Sequence, residues 1–590
     1  FSMLSTALEK MQYEELLTKI SKSGPCYRWV ITNLIAIIYM KAAFDMFILN
    51  LVTASVPFHC AEVTLDNQTV PWSSIAHNAS MPDNFTINSF TCSRPRLFRD
   101  SDGSLRLESS SEGNASTVNR TSVPAEACSA WTFLPDPPTR WTMFMEYSMV
   151  CERQYLMDRI QTMLQFGICL STVFGPLGDI IGRKTVLVGF AYLDISCNIA
   201  VIFVQDLTLQ MVLRFIMGFG VPAVIISTIL ITELVAEDYR GIHGNLMWIL
   251  FCLGYSGSAA ISYFIHNWRV QTAVACAIAG VGYATFIPVI PESPRWLLTR
   301  GYTKRAKKIL KEICKFSGCK EVLNEFNFEH NELVEPPDEN KPPEENCIFK
   351  IFPRENLCRL EYFVTVGVLS FNFFTVSLVY FALSFKRDFI TKDIYLNVLI
   401  SGLLEIPAYI LAWQLTNRAG RKYTSMANMA FSGVGLIIMP FIPTNPNIVF
   451  QGSSVLAIAI KFSVTVAFSI LAVYGSEVLP TKVRSCSFFV ASILMRGAQL
   501  LAPEIGGALA SLYDNLPSLL YGVICVLASL TILLLPESKD RPMPNTVAEM
   551  EPVGCPCGAR RTELATNASG ANAQVDEDEM KPLQVFSVDA

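Results

Sequence analysis

Of the chain's 590 residues, 51% are apolar and only 16% are charged, with a net charge of −5. Soluble domains carry roughly 25% charged residues, and a small negative balance offers no footprint for nucleic acid. The composition excludes a nucleic-acid binder and points to a chain that spends much of its length in lipid.

Residues 1–29 are mixed polar and carry no cleavable signal peptide, so they read as a cytoplasmic N-terminal segment. The first apolar run covers 30–56. Eleven more follow at about 156–177, 185–205, 208–232, 244–265, 270–290, 361–383, 394–415, 424–443, 448–475, 486–511 and 517–535. Each is near the ~20 residues that a membrane helix needs. The expected fold is an all-α membrane protein with twelve spans. Lys and Arg set its orientation: "GRKT" (Gly182–Thr185), "NRAGRK" (Asn417–Lys422) and "PTKVR" (Pro480–Arg484) all follow even-numbered spans. The short connections after spans three, nine and eleven carry neither residue. Even-span loops and both termini are therefore expected on the cytoplasmic side.

The segment after the first span, 57–155, gives an independent check. It holds Cys60, Cys92, Cys128 and Cys151, and N-glycosylation sequons at Asn67, Asn78, Asn84, Asn114 and Asn119. Together these predict an oxidised, glycosylated extracellular segment, with three disulfide pairings open. By the same logic the sequon at Asn567 goes unused, and the remaining cysteines are expected to be reduced. "CPC" (Cys555–Cys557) is a weak palmitoylation signal.

Spans two to six occupy 156–291 and spans seven to twelve 361–536. They are joined by a cytoplasmic insert, 292–360, and followed by a disordered cytoplasmic tail, 537–590. The two halves repeat each other. "GDIIGRK" (Gly178–Lys184) returns as "TNRAGRK" (Thr416–Lys422), "ELVAEDYR" (Glu233–Arg240) as "EVLPTKVR" (Glu477–Arg484), and "PESPRWLL" (Pro291–Leu298) as "PESKDRP" (Pro536–Pro542). Parallel repeats of six spans place a substrate site between halves near the midplane. The repeated charges suggest a cytoplasmic lock: Arg183, Glu233, Arg240 and Glu292 in one cluster, Arg421, Glu477, Arg484 and Glu537 in its twin. Asp179 is expected to cap a helix of the opposite half. The simpler alternative is that these charges stop helices and set topology.

Arg496 lies inside the apolar run "SCSFFVASILMRGAQLLAPEIGG" (Ser485–Gly507). A bare arginine there costs ~2.5–3.5 kcal/mol on insertion scales, so it marks a functional site with a partner. Glu405 is the other strong candidate in the second half. A purely structural role would pair Arg496 with Glu405 or Glu504. Lys41 and Asp45, four residues apart, are expected to neutralise each other on one helix face. Arg214 is open to three readings: facing a cavity, snorkelling or capping. Lys461 stays unassigned.

On these motifs the chain resembles the major facilitator superfamily over about residues 10–545. Within it, "LLEIPAYILAW" (Leu403–Trp413) and "KFSVTVAFSILAVYGSEVLPTKVRS" (Lys461–Ser485) resemble the organic ion transporters, above all the carnitine and organic-cation branches. The resemblance implies polyspecific organic-ion transport by a monomer. It also implies that Phe251, Phe373, Tyr380 and Phe468 line the cavity. In that family the position matching Arg496 is acidic in cation transporters and Arg in the anion and carnitine-like branches. The Glu405 position is acidic in the cation and carnitine-like branches. The anion branch carries Lys where this chain has Tyr409. One positive and one negative charge suit a zwitterion, its ammonium near Glu405 and among aromatics, its carboxylate on Arg496.

The expected function is thus a plasma-membrane secondary transporter of small organic cations or zwitterions. It is not an enzyme, needs no cofactor or metal, and has no nucleotide-binding P-loop; its coupling ion, Na⁺ or proton, is open. An organic-anion exchanger is the alternative. A sugar porter, and a transport-inactive receptor using the extracellular segment, are more remote.

Overall fold

In the computed structural model, Pro25 opens a helix of 28 residues, α1 (Pro25–Val52). Proline fits a first helical position because its missing N–H would have had no partner there. The structure describes residues 18, 25–65, 68–71, 93–94, 96–99, 105–107, 126–128, 130–135, 137–175, 177–220, 222–286, 289–317, 360–443, 452–480, 484–513 and 515–539.

Segment 57–155 departs from the all-α expectation, because it contains strands. β1 (Phe58–Cys60) pairs antiparallel with β8 (Trp131–Phe133). β2 (Glu62–Leu65) pairs antiparallel with β3 (Gln68–Pro71) and parallel with β5 (Arg96–Arg99), which pairs in turn with β6 (Leu105–Leu107). β4 (Ser93–Arg94) pairs with β7 (Glu126–Ala127). The β-branched and aromatic residues of these short stretches favour a pleated surface. A disulfide joins Cys60 to Cys128, closing the ends of this segment, and Cys151 is also disulfide-bonded. Cys92 and the five sequon asparagines lie outside the described residues.

A short helix, α2 (Met143–Glu146), fastens this segment to the membrane part. The Glu146 carboxylate accepts hydrogen bonds from Trp268 Nε1 at 2.7 Å, Trp141 Nε1 at 3.2 Å and the Arg269 guanidinium. Burial pushes the Glu146 carboxyl up, but the bonds from Arg269, Trp268 and Trp141 outweigh it and hold the group below the usual carboxylate range.

The remaining helices follow in order: α3 (Leu156–Ser171), α4 (Leu177–Ile181), α5 (Arg183–Phe203), α6 (Leu207–Gly218), α7 (Pro222–Leu234), α8 (Glu237–Phe264) and α9 (Trp268–Phe286). Next come α10 (Pro294–Thr299) and α11 (Thr303–Ser317), then α12 (Leu360–Phe385), α13 (Ile394–Ala419), α14 (Lys422–Ile438), α15 (Gly452–Val478), α16 (Arg484–Leu512) and α17 (Leu516–Thr531). Local chemistry marks their ends. Asp206 caps α6 through Leu209 N at 2.8 Å, Ser293 caps α10 through Trp296 N at 3.2 Å, and Asp393 caps α13 through Tyr395 N at 2.9 Å.

Among the described residues, nine helices are long and apolar enough to cross a membrane. The expected spans two, four and six fall outside that set. They coincide with α3, with the pair α6 and α7, and with α9. Within the first half α1 packs on α8 and α9; within the second α12 packs on α16 and α14 on α17. The halves meet where α3 packs on α16 and α8 on α13.

Candidate functional site

The α8–α13 contact carries Glu405 into the centre of the fold. Pro407, two residues on, sits inside α13 and leaves the Leu403 carbonyl without its helical N–H partner. The Glu405 side chain is fully buried, and three groups converge on it. Tyr380 Oη on α12 donates to Oε1 at 2.6 Å, Cys252 Sγ on α8 donates to Oε2 at 3.6 Å, and Lys461 Nζ on α15 lies 3.3 Å from Oε1. Lys461 is 1% exposed and Glu405 0%. The ammonium also sits 3.8 Å from the centroid of the Tyr380 ring and donates to Ser384 Oγ, which in turn donates to the Tyr380 carbonyl at 2.6 Å. The seat expected to receive a substrate ammonium is therefore filled by the chain's own.

Arg496 does not pair with either carboxylate that a structural role would use. Glu405 belongs to Lys461, and Glu504 lies 3.3 Å from Arg159 on α3. The Arg496 guanidinium is half-buried and donates to Gln499 Oε1 at 2.9 Å, one turn along α16. Its electrostatic neighbours are the Tyr39 hydroxyl on α1 and the Cys169 thiol on α3. That places it where the two halves meet. Among the described residues, no carboxylate lies within ion-pair distance of it.

The aromatic residues divide into groups. Tyr380 packs on Phe468 with ring centroids 5.6 Å apart, next to Lys461. Phe251 meets Trp248 edge-on at 5.7 Å, and Trp248 meets Tyr409 at 5.8 Å, one turn beyond Glu405. Phe47 stacks on Tyr255 at 3.5 Å. Phe373 stands apart from the charges and packs against Phe488 at 6.0 Å. Ser384, Cys252 and Tyr255 escaped the sequence-based site, and Lys461, a lysine in an apolar helix, was left unassigned there.

The repeated charge motifs fold into two matching clasps, each inside its own half. In the first, Arg183 bridges Asp179 at 2.8 Å and Glu233 at 3.2 Å, and Glu292 accepts the Lys184 N–H at 3.1 Å. In the second, Arg421 pairs with Glu477 at 2.8 Å, and Glu537 accepts the N–H groups of Arg421 at 2.9 Å and Lys422 at 3.1 Å. Two glycines make room. Gly182 (φ +121°) and Gly420 (φ +89°) adopt left-handed backbone, and a Cβ there would meet Glu292 Oε2 at 2.8 Å or Glu537 Oε2 at 2.9 Å. Asp179 does not cap a helix of the opposite half. Its carboxylate binds Arg183 one turn away, and its carbonyl accepts from Trp296 at 2.9 Å and Arg300 at 2.7 Å. The side chains of Arg240 and Arg484 lie outside the described residues.

Besides the central contacts of α8 with α13, polar contacts between the halves lie at the opposite end, the one bearing segment 57–155. Arg159 pairs with Glu504, Arg387 Nη2 donates to Thr53 Oγ1 at 3.2 Å, and the Arg140 guanidinium lies 5.3 Å from the Tyr395 ring centroid. Two helical halves that meet along α3–α16 and α8–α13, with buried charges at their interface, define a polytopic transporter of the major facilitator fold.

The comparisons agree. The family model described as "Sugar (and other) transporter" matches residues 129–546. The "Organic cation transporter protein" of Drosophila melanogaster is 25% identical over 92% of this chain and 95% of its own length. The "Organic cation/carnitine transporter 2" of Homo sapiens is 30% identical over 72% of this chain and 74% of its own length. The solved major facilitator proton:xylose symporter XylE, bound to 6-bromo-6-deoxy-D-glucose, matches 90% of this chain at a TM-score of 0.52 and 16% identity, which speaks to the fold. The chain belongs to the sugar (and other) transporter family of the major facilitator superfamily, in its organic ion transporter branch.

Proposed function

We propose that this protein is a secondary transporter of small organic cations and zwitterions of carnitine type, working by alternating access in the plasma membrane. On this reading α3, α6 with α7, and α9 complete twelve spans, both termini are cytoplasmic, and segment 57–155 is extracellular and glycosylated. The protein works as a monomer on a small organic ion. The two clasps brace the cytoplasmic helix ends while the halves rock.

The observation that carries the reading is the Lys461 ammonium held by Glu405 and the Tyr380 ring. A carboxylate plus an aromatic face is the recognition chemistry of an organic ammonium. A substrate ammonium takes this seat by displacing Lys461, while a substrate carboxylate meets Arg496. Names of the relatives, organic cation and carnitine transporters, support the same class.

A second reading has a specific observation in its favour. With Glu405 neutralised by Lys461, the uncompensated charge of the site is the cation on Arg496, which suits an organic anion. A sugar site finds less support. The one amide side chain along α12, Asn372, donates to Thr531 Oγ1 at 2.9 Å, towards α17.

The test is Arg496→Ala, with uptake of carnitine and of tetraethylammonium measured at matched surface expression. A lost charge-assisted bond of ~1.5–3 kcal/mol corresponds to roughly a ten- to hundredfold loss for carnitine, with little loss for tetraethylammonium. Equal losses on both overturn the zwitterion reading. Efficient transport of a dicarboxylate, abolished by Arg496→Ala, favours anion exchange.

A further inference from the structure

The insert expected on the cytoplasmic side, 292–360, contains "RGYTKRAKKILKEICK" (Arg300–Lys315), a basic stretch that neither the clasps nor the substrate site use. It folds into α11, which packs against α10 and α1. Ala306, Leu310, Ile313 and Cys314 form the buried stripe of that helix. Lys304, Lys308, Lys311 and Lys315 lie on its far side and are all exposed. At 3.6 residues per turn they fall within about 60° of one another, in a row roughly 17 Å long. Glu312, the one acidic residue of α11, lies outside the row.

Like charges one turn apart work against a helix, so α11 gains nothing for itself from this alignment. Topology does not call for it either, because positive charge marks a cytoplasmic segment by count, wherever in the segment the residues stand. The matching place in the second half has no such row: "PESKDRP" is followed by no Lys or Arg in 543–558. Two aromatic residues accompany the lysines. Tyr302 and Phe316, at the two ends of the helix, are 51% and 58% exposed. The Arg305 guanidinium lies 5.7 Å from the Tyr302 ring centroid. Exposed rings beside lysines suit a membrane–water interface, where the rings rest at headgroup level and the long lysine stems reach the phosphates.

We propose that α11 is a docking surface for anionic lipid headgroups, held by Lys304, Lys308, Lys311 and Lys315. Four or more cations on an amphipathic helix beside a bilayer attract such lipids by charge. The inference rests on the cytoplasmic reading of 292–360 only for which leaflet supplies the lipid. The contact reaches the first clasp. Trp296 Nε1 and Arg300 Nη2, just before α11, donate to the Asp179 carbonyl at 2.9 and 2.7 Å, and the Asp179 carboxylate holds Arg183. Lipid composition thereby bears on the first clasp rather than the second.

The experiment places the purified full chain in nanodiscs of phosphatidylcholine alone or of phosphatidylcholine with phosphatidylserine, and follows acylation of each lysine by mass spectrometry. A nanodisc offers the same lipid to both faces, so the result does not depend on the chain's orientation in a cell, and a failed topology is told apart from a failed inference. The four lysines should react about fivefold more slowly in the anionic discs, and high salt should abolish the difference. Lys392, exposed between α12 and α13, should change little. Lys308→Gln/Lys311→Gln removes two exposed charges from the middle of the row and should return Lys304 and Lys315 to their rate in neutral discs. Equal rates in both discs, or a double variant that leaves Lys304 and Lys315 slow, overturn the proposal. So does slow, salt-sensitive acylation already present in neutral discs, which assigns the row to an acidic protein segment such as 321–345.

Discussion

Replacing Lys461 with methionine keeps the volume of the side chain roughly constant and removes its charge. In the native structure Glu405 is 0% exposed and its cation lies 3.3 Å away at 1% exposure, so the variant leaves a buried carboxylate without compensation. Breaking such a pair by removing one partner costs ~3–5 kcal/mol. Thermal unfolding of the purified full chain should show a loss of that size for Lys461→Met, and the double variant Lys461→Met/Glu405→Gln should recover most of it. A quaternary ammonium should also stabilise Lys461→Met more than the native chain, because the seat over Tyr380 is then empty. At a hundredfold excess over its Kd it returns ~2.7 kcal/mol. A single-variant loss below about 1 kcal/mol, far under the range for a buried pair, would refute the reasoning. So would a double variant no more stable than the single.

Gly420→Ala forces a Cβ into left-handed backbone and to 2.9 Å from Glu537 Oε2. It should cost about 2–3 kcal/mol through strain and a displaced cap, whereas Gly189→Ala, which meets nothing within 4 Å, should be neutral in the same unfolding assay. Glu146 titrates below the usual range. The stability it contributes is complete above the ordinary carboxylate value and is lost as the pH falls through its lowered one. Limited proteolysis should therefore cut segment 57–155 faster at acid pH, and Glu146→Gln should abolish that acid step.

Helices at the apolar runs, and the matched order of the charge motifs, could be read from the chain because both are local. Hydrophobic length needs no knowledge of neighbours, and a motif repeated in order names its twin. Glu405 and Tyr380 were legible as candidates, and they do meet. Their third partner, Lys461, was not, since only the packing of α15 against α13 brings it to Glu405. The same holds for Lys41. Its helical neighbour Asp45 was visible at a spacing of four, but Asp194 reaches it from another helix. The clasps show a further limit: the spacing of Arg183, Glu233 and Glu292 is equally compatible with partners in the same half or the other. The strands of 57–155 were hidden because each spans four residues or fewer.

The two clasps share one feature. Each is closed by a glutamate that lies after the last long helix of its own half: Glu292 follows α9 and Glu537 follows α17. The described ion pairs and caps of each clasp come from its own half. A polypeptide severed anywhere in 318–359 would leave both buckles fastened on separate pieces. Each half thus carries the whole of its own fastening, and what the two share is the seam between them rather than the buckles.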